Sequence, residues 1–263
     1  VIAWGVTPIV LYVAYLYGRR VLKMERELTL PIVSAMSVCG VSAAIAVGSA
    51  CKAKKEYVTI AVGQTLIFTV LMMLVMPALC RLFGFSELVS GAWIGGTVDS
   101  TGAVPGAGEL VGEQAMEAAV TIKMIQNMLI GIIAFFVATL WVSRIAKTPG
   151  AARPSLWEIW FRMPKFIIGF LVASLIFSFV LTPIMGEEEV STILKSSKVF
   201  RGEFFALAFV SIGLESNYRE LGKHFTGGKP LNLYWVGQTF NILLTLLVAW
   251  LLLSGVLFGV PDF

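Results

Sequence analysis

Apolar runs long enough to cross a lipid bilayer recur along this chain. Between them lie two stretches, equally apolar, that are built from glycine, alanine, serine and threonine. The long runs fall at about 1–17, 58–80, 118–142, 164–185, 198–216 and 231–258. Roughly 20 helical residues at about 1.5 Å each span the ~30 Å hydrocarbon slab. Of the 263 residues, 57% are hydrophobic and 14% charged, against about 25% charged in an ordinary soluble domain. Mean hydropathy is +0.86. A water-soluble core is excluded, and the expected class is an all-α polytopic membrane protein, one transmembrane domain over 1–263. Val1 lies within an apolar stretch without an initiator Met, so the expectation is the C-terminal part of a longer transporter.

The net charge of +4 is modest, and no basic run is interleaved with aromatics, so no nucleic-acid partner is expected. Cys39, Cys51 and Cys80 are odd in number and lack metal-ligand spacing. Trp141, Trp157, Trp160, Tyr234 and Trp235 cluster near run ends, where amphipathic rings favour the membrane interface.

The two unusual stretches are 31–51, with SVCGVSAAIAVGSAC, and 91–112, with GGTVDSTGAVPGAG. Glycine and proline at this density oppose a continuous helix, so both are expected to be discontinuous. They also look like copies of one unit. At an offset of 62, Gly40 matches Gly102, Val58-Thr59-Ile60 matches Val120-Thr121-Ile122, and Gln64 matches Gln126. Shared low-complexity composition would produce some of these matches by itself. A true internal repeat with breaks in corresponding places points to an inverted-repeat transporter fold.

Loop charge separates two topologies. If both stretches are re-entrant, fifteen of the twenty basic residues fall on one side and four on the other, Lys123 lying in a helix. If both cross fully, the split is thirteen to six. Each obeys the positive-inside rule, the re-entrant one better. It also makes the two copies enter from opposite faces.

Asp99 is one of only two aspartates, the other being Asp262 near the C-terminus, and it sits in the middle of GGTVDSTGAV. An ionisable group at membrane depth is costly unless it serves a ligand or partner. Asp99-Ser100-Thr101 could also simply cap the half-helix that follows. A helix that begins in mid-membrane presents unpaired N–H groups and the positive end of its dipole, which bind anions without Arg or Lys. On this argument Gly40, Ser42 and Ala43, with Ser100, Thr101 and Gly102, are the candidate substrate-binding residues. Small residues also serve close helix packing. A carboxylate beside an anion site repels its ligand unless protonated or paired, so Asp99 is the candidate coupling-ion residue, for H+ or Na+. Gln64, Lys123, Gln126 and Asn127 are expected as secondary polar lining, with Gln238 and Asn241 on the last long helix. The alternative role for each amide is a bond from helix to helix. Lys123, read as lying near a helix end, is expected to snorkel to the interface rather than to pair with Asp99. Glu215 and Asn217 read as solvated helix-end residues.

Catalytic sets are nearly absent. His224 is the sole histidine and sits in a polar loop, which excludes multi-histidine zinc sites. GGTVDSTG lacks the phosphate-loop spacing. No enzyme activity, metal or cofactor is expected.

At SVCGVSAAIA, at GGTVDSTGAVPGAG with the following AMEAAVTIKMIQNMLIG, and at FFALAFVSIGLESNYREL, the chain resembles the YeiH-like family of bacterial membrane proteins, to which sulfate export is ascribed. The resemblance covers nearly the whole chain. It implies a fold grouped with bile-acid and arsenite-type carriers, with discontinuous helices and further N-terminal helices. It carries Cys39, Gly40, Ser42 and Ala43 onto the first motif, and Asp99, Ser100, Thr101 and Gly102 onto the second. Two departures stand out. A common branch has His-Glu where this chain has Asp99-Ser100, and Pro105 replaces an aliphatic residue. The expected function is secondary transport of a small inorganic or organic anion, such as sulfate, by alternating access in the inner (plasma) membrane, with several passes. The alternatives are a passive anion channel and a non-transporting membrane scaffold or sensor. A homodimer is compatible with each.

Overall fold

The computed structural model describes residues 1–141, 166–186 and 228–255, together with scattered helical residues between 188 and 210. Among these residues every regular element is a helix, as the hydropathy requires. The first helix, α1 (Thr7–Leu16), is flanked by π-type turns at Ile2–Val6 and Tyr17–Val21. There follow α2 (Arg26–Ser34), wound on through Ala35–Cys39, then α3 (Val41–Ala50), α4 (Lys55–Phe83), α5 (Glu87–Thr97), α6 (Ala103–Glu109), α7 (Glu113–Asn127) and α8 (Leu129–Leu140). Beyond them lie α9 (Phe166–Ile176), which runs on through Phe177–Leu181 to α10 (Thr182–Met185), and the long α11 (Gly228–Leu253). Trp157, Trp160, Glu215, Asn217, His224 and Asp262 lie outside the described residues.

Among the described residues, three helices are long and apolar enough to cross a membrane: Lys55–Phe83, the joined Glu113–Leu140, and Gly228–Leu253. Their outward faces carry exposed Leu74, Phe136 and Leu243, which is what lipid contact permits and water does not.

Both small-residue stretches break. At Gly40 the backbone takes φ 54° and ψ −121°, a region closed to residues with a Cβ. The preceding turn is widened, with Gly40 N–H donating to Ala35 O at 2.8 Å. The second break is an extended Val98 (φ −67°, ψ 124°) followed by Asp99 and Ser100, before a turn leads into α6. Gly102, the counterpart of Gly40 at the offset of 62, has ordinary right-handed backbone. Pro105 sits in the first turn of α6, where no N–H is required.

Each broken segment returns to the side it left. Pro31 on α2 and Gly48 on α3 are neighbours, and Gly48 also abuts Val58 at the start of α4. Tyr57 donates to Glu25 Oε2 at 2.7 Å across the same end. In the second segment, Gly108 at the end of α6 packs on Met116, and Glu87 at the start of α5 accepts from Gln114 N–H at 3.0 Å. The hairpins α2–α3 and α5–α6 thus begin at opposite ends of α4. One end of the molecule gathers Arg19, Glu25, Arg26, Glu27 and Trp141 around one groove, with Lys52, Lys54 and Lys55 in the adjoining turn. Arg81, Glu87 and Glu109 lie at the other end of α4 and in the second hairpin. Most of the basic residues that separate the two topologies, Arg144, Lys147, Arg153, Arg162, Lys165, Lys195, Lys198, Arg201, Arg219 and Lys223, lie outside the described residues.

Glycines bring the second hairpin against its neighbour. Gly91 and Gly95 lie over Ala115 and Ala119, so α5 and α7 run parallel with their backbones in contact. Small residues four apart on both helices let membrane helices approach this closely.

Candidate functional site

The two hairpin tips meet. Cys39 Sγ lies 2.8 Å from Thr101 Oγ1, and a Cβ added to Gly40 would sit 3.4 Å from Asp99 O. Cys39 and Thr101 are 62 positions apart, the same offset that relates Gly40 to Gly102.

Around the tips, buried polar side chains arrive from four long helices. Asp99 is 1% exposed. Its Oδ2 accepts from the Tyr234 hydroxyl of α11 at 2.7 Å, while its Oδ1 is buried without a hydrogen-bond partner. It does not cap α6, whose N-terminus carries no side-chain cap. The Tyr234 oxygen also lies 2.9 Å from Thr65 Oγ1 of α4, and its ring stacks on Phe68. Tyr234 is therefore not the interfacial anchor expected from its position near a helix end; Trp235, half-exposed beside it, takes the outward place.

Lys123 does not snorkel. It is 1% exposed, and its Nζ donates to Val38 O at 3.0 Å and to Gln126 Oε1 at 2.6 Å. Its register on α7 turns it towards the end of the first hairpin's incoming arm, not along the helix to the surface. The Gln126 amide ties three elements together, donating to Thr7 Oγ1 at 2.8 Å, Ser37 O at 3.0 Å and Gly96 O at 3.4 Å. Asn127 donates to Thr101 Oγ1 at 3.0 Å. Gln238 donates to Thr97 O at 2.9 Å.

Several acceptors and donors in this zone are buried without partners among the described residues: both amide atoms of Gln64, Asn127 Oδ1, Gln238 Oε1 and Asn241 Nδ2. Each such group costs about 1–3 kcal/mol of desolvation, so a cluster of them marks a place where polar chemistry is retained against stability.

Of the sequence candidates, Gly40, Asp99 and Thr101 come together at the tips, Asn127 reaches Thr101, and Lys123 and Gln126 bond to Val38 and Ser37 just before the first tip. Ala43 is buried in the packing behind the first tip, against Val38 and Leu129. Ser100, Thr101 and Gly102 are half-buried and Ser42 is exposed. Gln64 is buried on α4.

Tyr234 and Thr65 were missed as site residues. A signal existed for the first: Tyr234, Gln238, Asn241 and Thr245 recur at helical spacing, which puts four polar groups on one face of an otherwise apolar helix. All four are buried.

The family model described as "Conserved hypothetical protein 698" matches residues 1–234. The chain belongs to this family. Among curated proteins it is 49% identical over 258 residues to a UPF0324 membrane protein of Rhodopirellula baltica, covering 97% of this chain and 48% of the relative. It is 50% identical over 260 residues to a UPF0324 membrane protein of Nitratidesulfovibrio vulgaris, covering 95% and 44%. With the UPF0324 inner membrane protein YeiH of Escherichia coli it shares 28% identity over 240 residues, 90% of this chain and 62% of YeiH. The chain spans about half the length of the first two relatives. No solved structure matches it. The resemblance noted from the motifs is thereby borne out.

Proposed function

We propose that this family member is a secondary transporter of a small anion, sulfate being one candidate, working by alternating access around the paired hairpin tips. The observation that carries the reading is the contact of the tips at Cys39 and Thr101, each tip ending a helix inside the apolar slab. Such a joint gives one site two exits, because each hairpin opens towards its own face. The hairpins and the helices after them constitute a duplicated unit inserted in opposite senses. The basic end is the cytoplasmic one by the positive-inside rule, in an inner membrane crossed several times.

The substrate meets the open N–H groups at Val41, Ser42 and Ala43 and the donors of Ser100 and Thr101. Asp99 does not repel it outright, because the Tyr234 hydroxyl donates to one of its oxygens. Coupling to H+ or Na+ runs through the Asp99 carboxylate, whose free Oδ1 is the acceptor. The test is reconstitution into proteoliposomes, with uptake of radiolabelled sulfate and of other small oxyanions and carboxylates measured under imposed proton or sodium gradients. Gradient-driven accumulation that Asp99→Asn abolishes is expected. Downhill flux indifferent to both gradients would make the protein a channel, and no flux of any anion would remove transport altogether.

A further inference from the structure

A helix interrupted in mid-membrane leaves its last carbonyls open, and its dipole makes that end negative. In transporters such carbonyls coordinate monovalent cations. Here the first hairpin ends its incoming arm at Gly40, and two carbonyls of its last turn point at α7. Ser37 O is taken by Gln126 Nε2 at 3.0 Å and Val38 O by Lys123 Nζ at 3.0 Å. The ammonium is held further by Gln126 Oε1 at 2.6 Å. Its surroundings are therefore a backbone carbonyl and a side-chain amide oxygen. These are the hard oxygen donors that a bare alkali cation would otherwise select.

We propose that Lys123 is a resident cation: its ammonium occupies, permanently, a monovalent-cation site at the broken end of the first hairpin. The counter-charge for the hairpin then travels with the chain, and no dissociable sodium is needed there. Removing the side chain exposes a latent site for Na+ or a small ammonium ion. Where the transport reading holds, it follows that coupling falls to Asp99 alone. The occupancy claim itself stands on binding, so it fails or survives separately from transport.

The test is thermal unfolding of the purified protein in detergent, with NaCl, methylammonium chloride or choline chloride exchanged at fixed ionic strength. The wild type is expected to melt at the same temperature in methylammonium and choline, and any sodium response, arising at the Asp99 carboxylate, is expected to vanish in Asp99→Asn. Lys123→Ala is expected to melt lower in choline and to gain roughly 3 °C or more in methylammonium. Lys123→Arg, which keeps the charge, is expected to show no methylammonium response. Should Lys123→Ala yield no folded protein, Lys123→Gln takes its place, since it keeps a donor and loses the charge. Sodium-specific stabilisation of the wild type that survives Asp99→Asn would overturn the proposal. So would a folded charge-deleted variant that ignores methylammonium.

Discussion

Gly95→Ala should destabilise the protein although alanine is the better helix former. Propensity alone favours alanine by about 0.5–1 kcal/mol in a helix interior. Against that, a Cβ on Gly95 would lie 2.8 Å from Ala119 Cα and closer still to its carbonyl oxygen, where carbons in contact prefer about 3.5–4.0 Å. The overlap approaches 1 Å and is with backbone, so no rotamer change relieves it. The α5 and α7 helices must part, loosening the hairpin whose tip carries Asp99. Overpacking of this kind costs about 1–3 kcal/mol, enough to exceed the propensity gain. Gly169→Ala in α9 is the control, because nothing lies within 4 Å of its Cβ position; it should be neutral or stabilising. Both are measured by intrinsic-fluorescence melting in detergent. Ala119→Gly should not rescue Gly95→Ala, since the struck atoms remain. A Gly95→Ala protein at least as stable as Gly169→Ala, or full rescue by Ala119→Gly, would refute the close-packed geometry.

Thr101→Cys should form a disulfide with native Cys39 under mild oxidation, because the two side-chain heteroatoms are 2.8 Å apart; peptide mass spectrometry reads it, and absence of the cross-link would separate the tips. Tyr234→Phe should cost about 1–3 kcal/mol in melting experiments, since it removes the donor to Asp99 Oδ2 and leaves that carboxylate bare. Gln126→Leu should cost more than Tyr234→Phe in the same assay, because one amide serves Thr7, Ser37 and Lys123 and its loss strands a buried charge. Glu87→Gln should weaken the start of α7 by only about 0.3–1 kcal/mol, for the carboxylate there caps exposed N–H groups.

The class of this protein and the places where its helices break were decided locally. Hydropathy over about twenty residues is a one-dimensional property, and glycine at Gly40 frees a backbone angle whatever surrounds it. Loop charge is likewise countable along the chain, and it fits both the re-entrant and the fully crossing arrangement. The pairing of polar groups was not decided locally. Asp99 and Tyr234 are 135 positions apart, and Lys123 and Val38 are 85 apart. Whether a tyrosine near a helix end faces lipid headgroups or a buried carboxylate depends on the rotation of α11 against α4 and α5. Whether a lysine snorkels or turns inward depends on what the opposite hairpin offers it. Those are relations between helices, fixed only when the backbones have packed, and no property of either residue alone contains them.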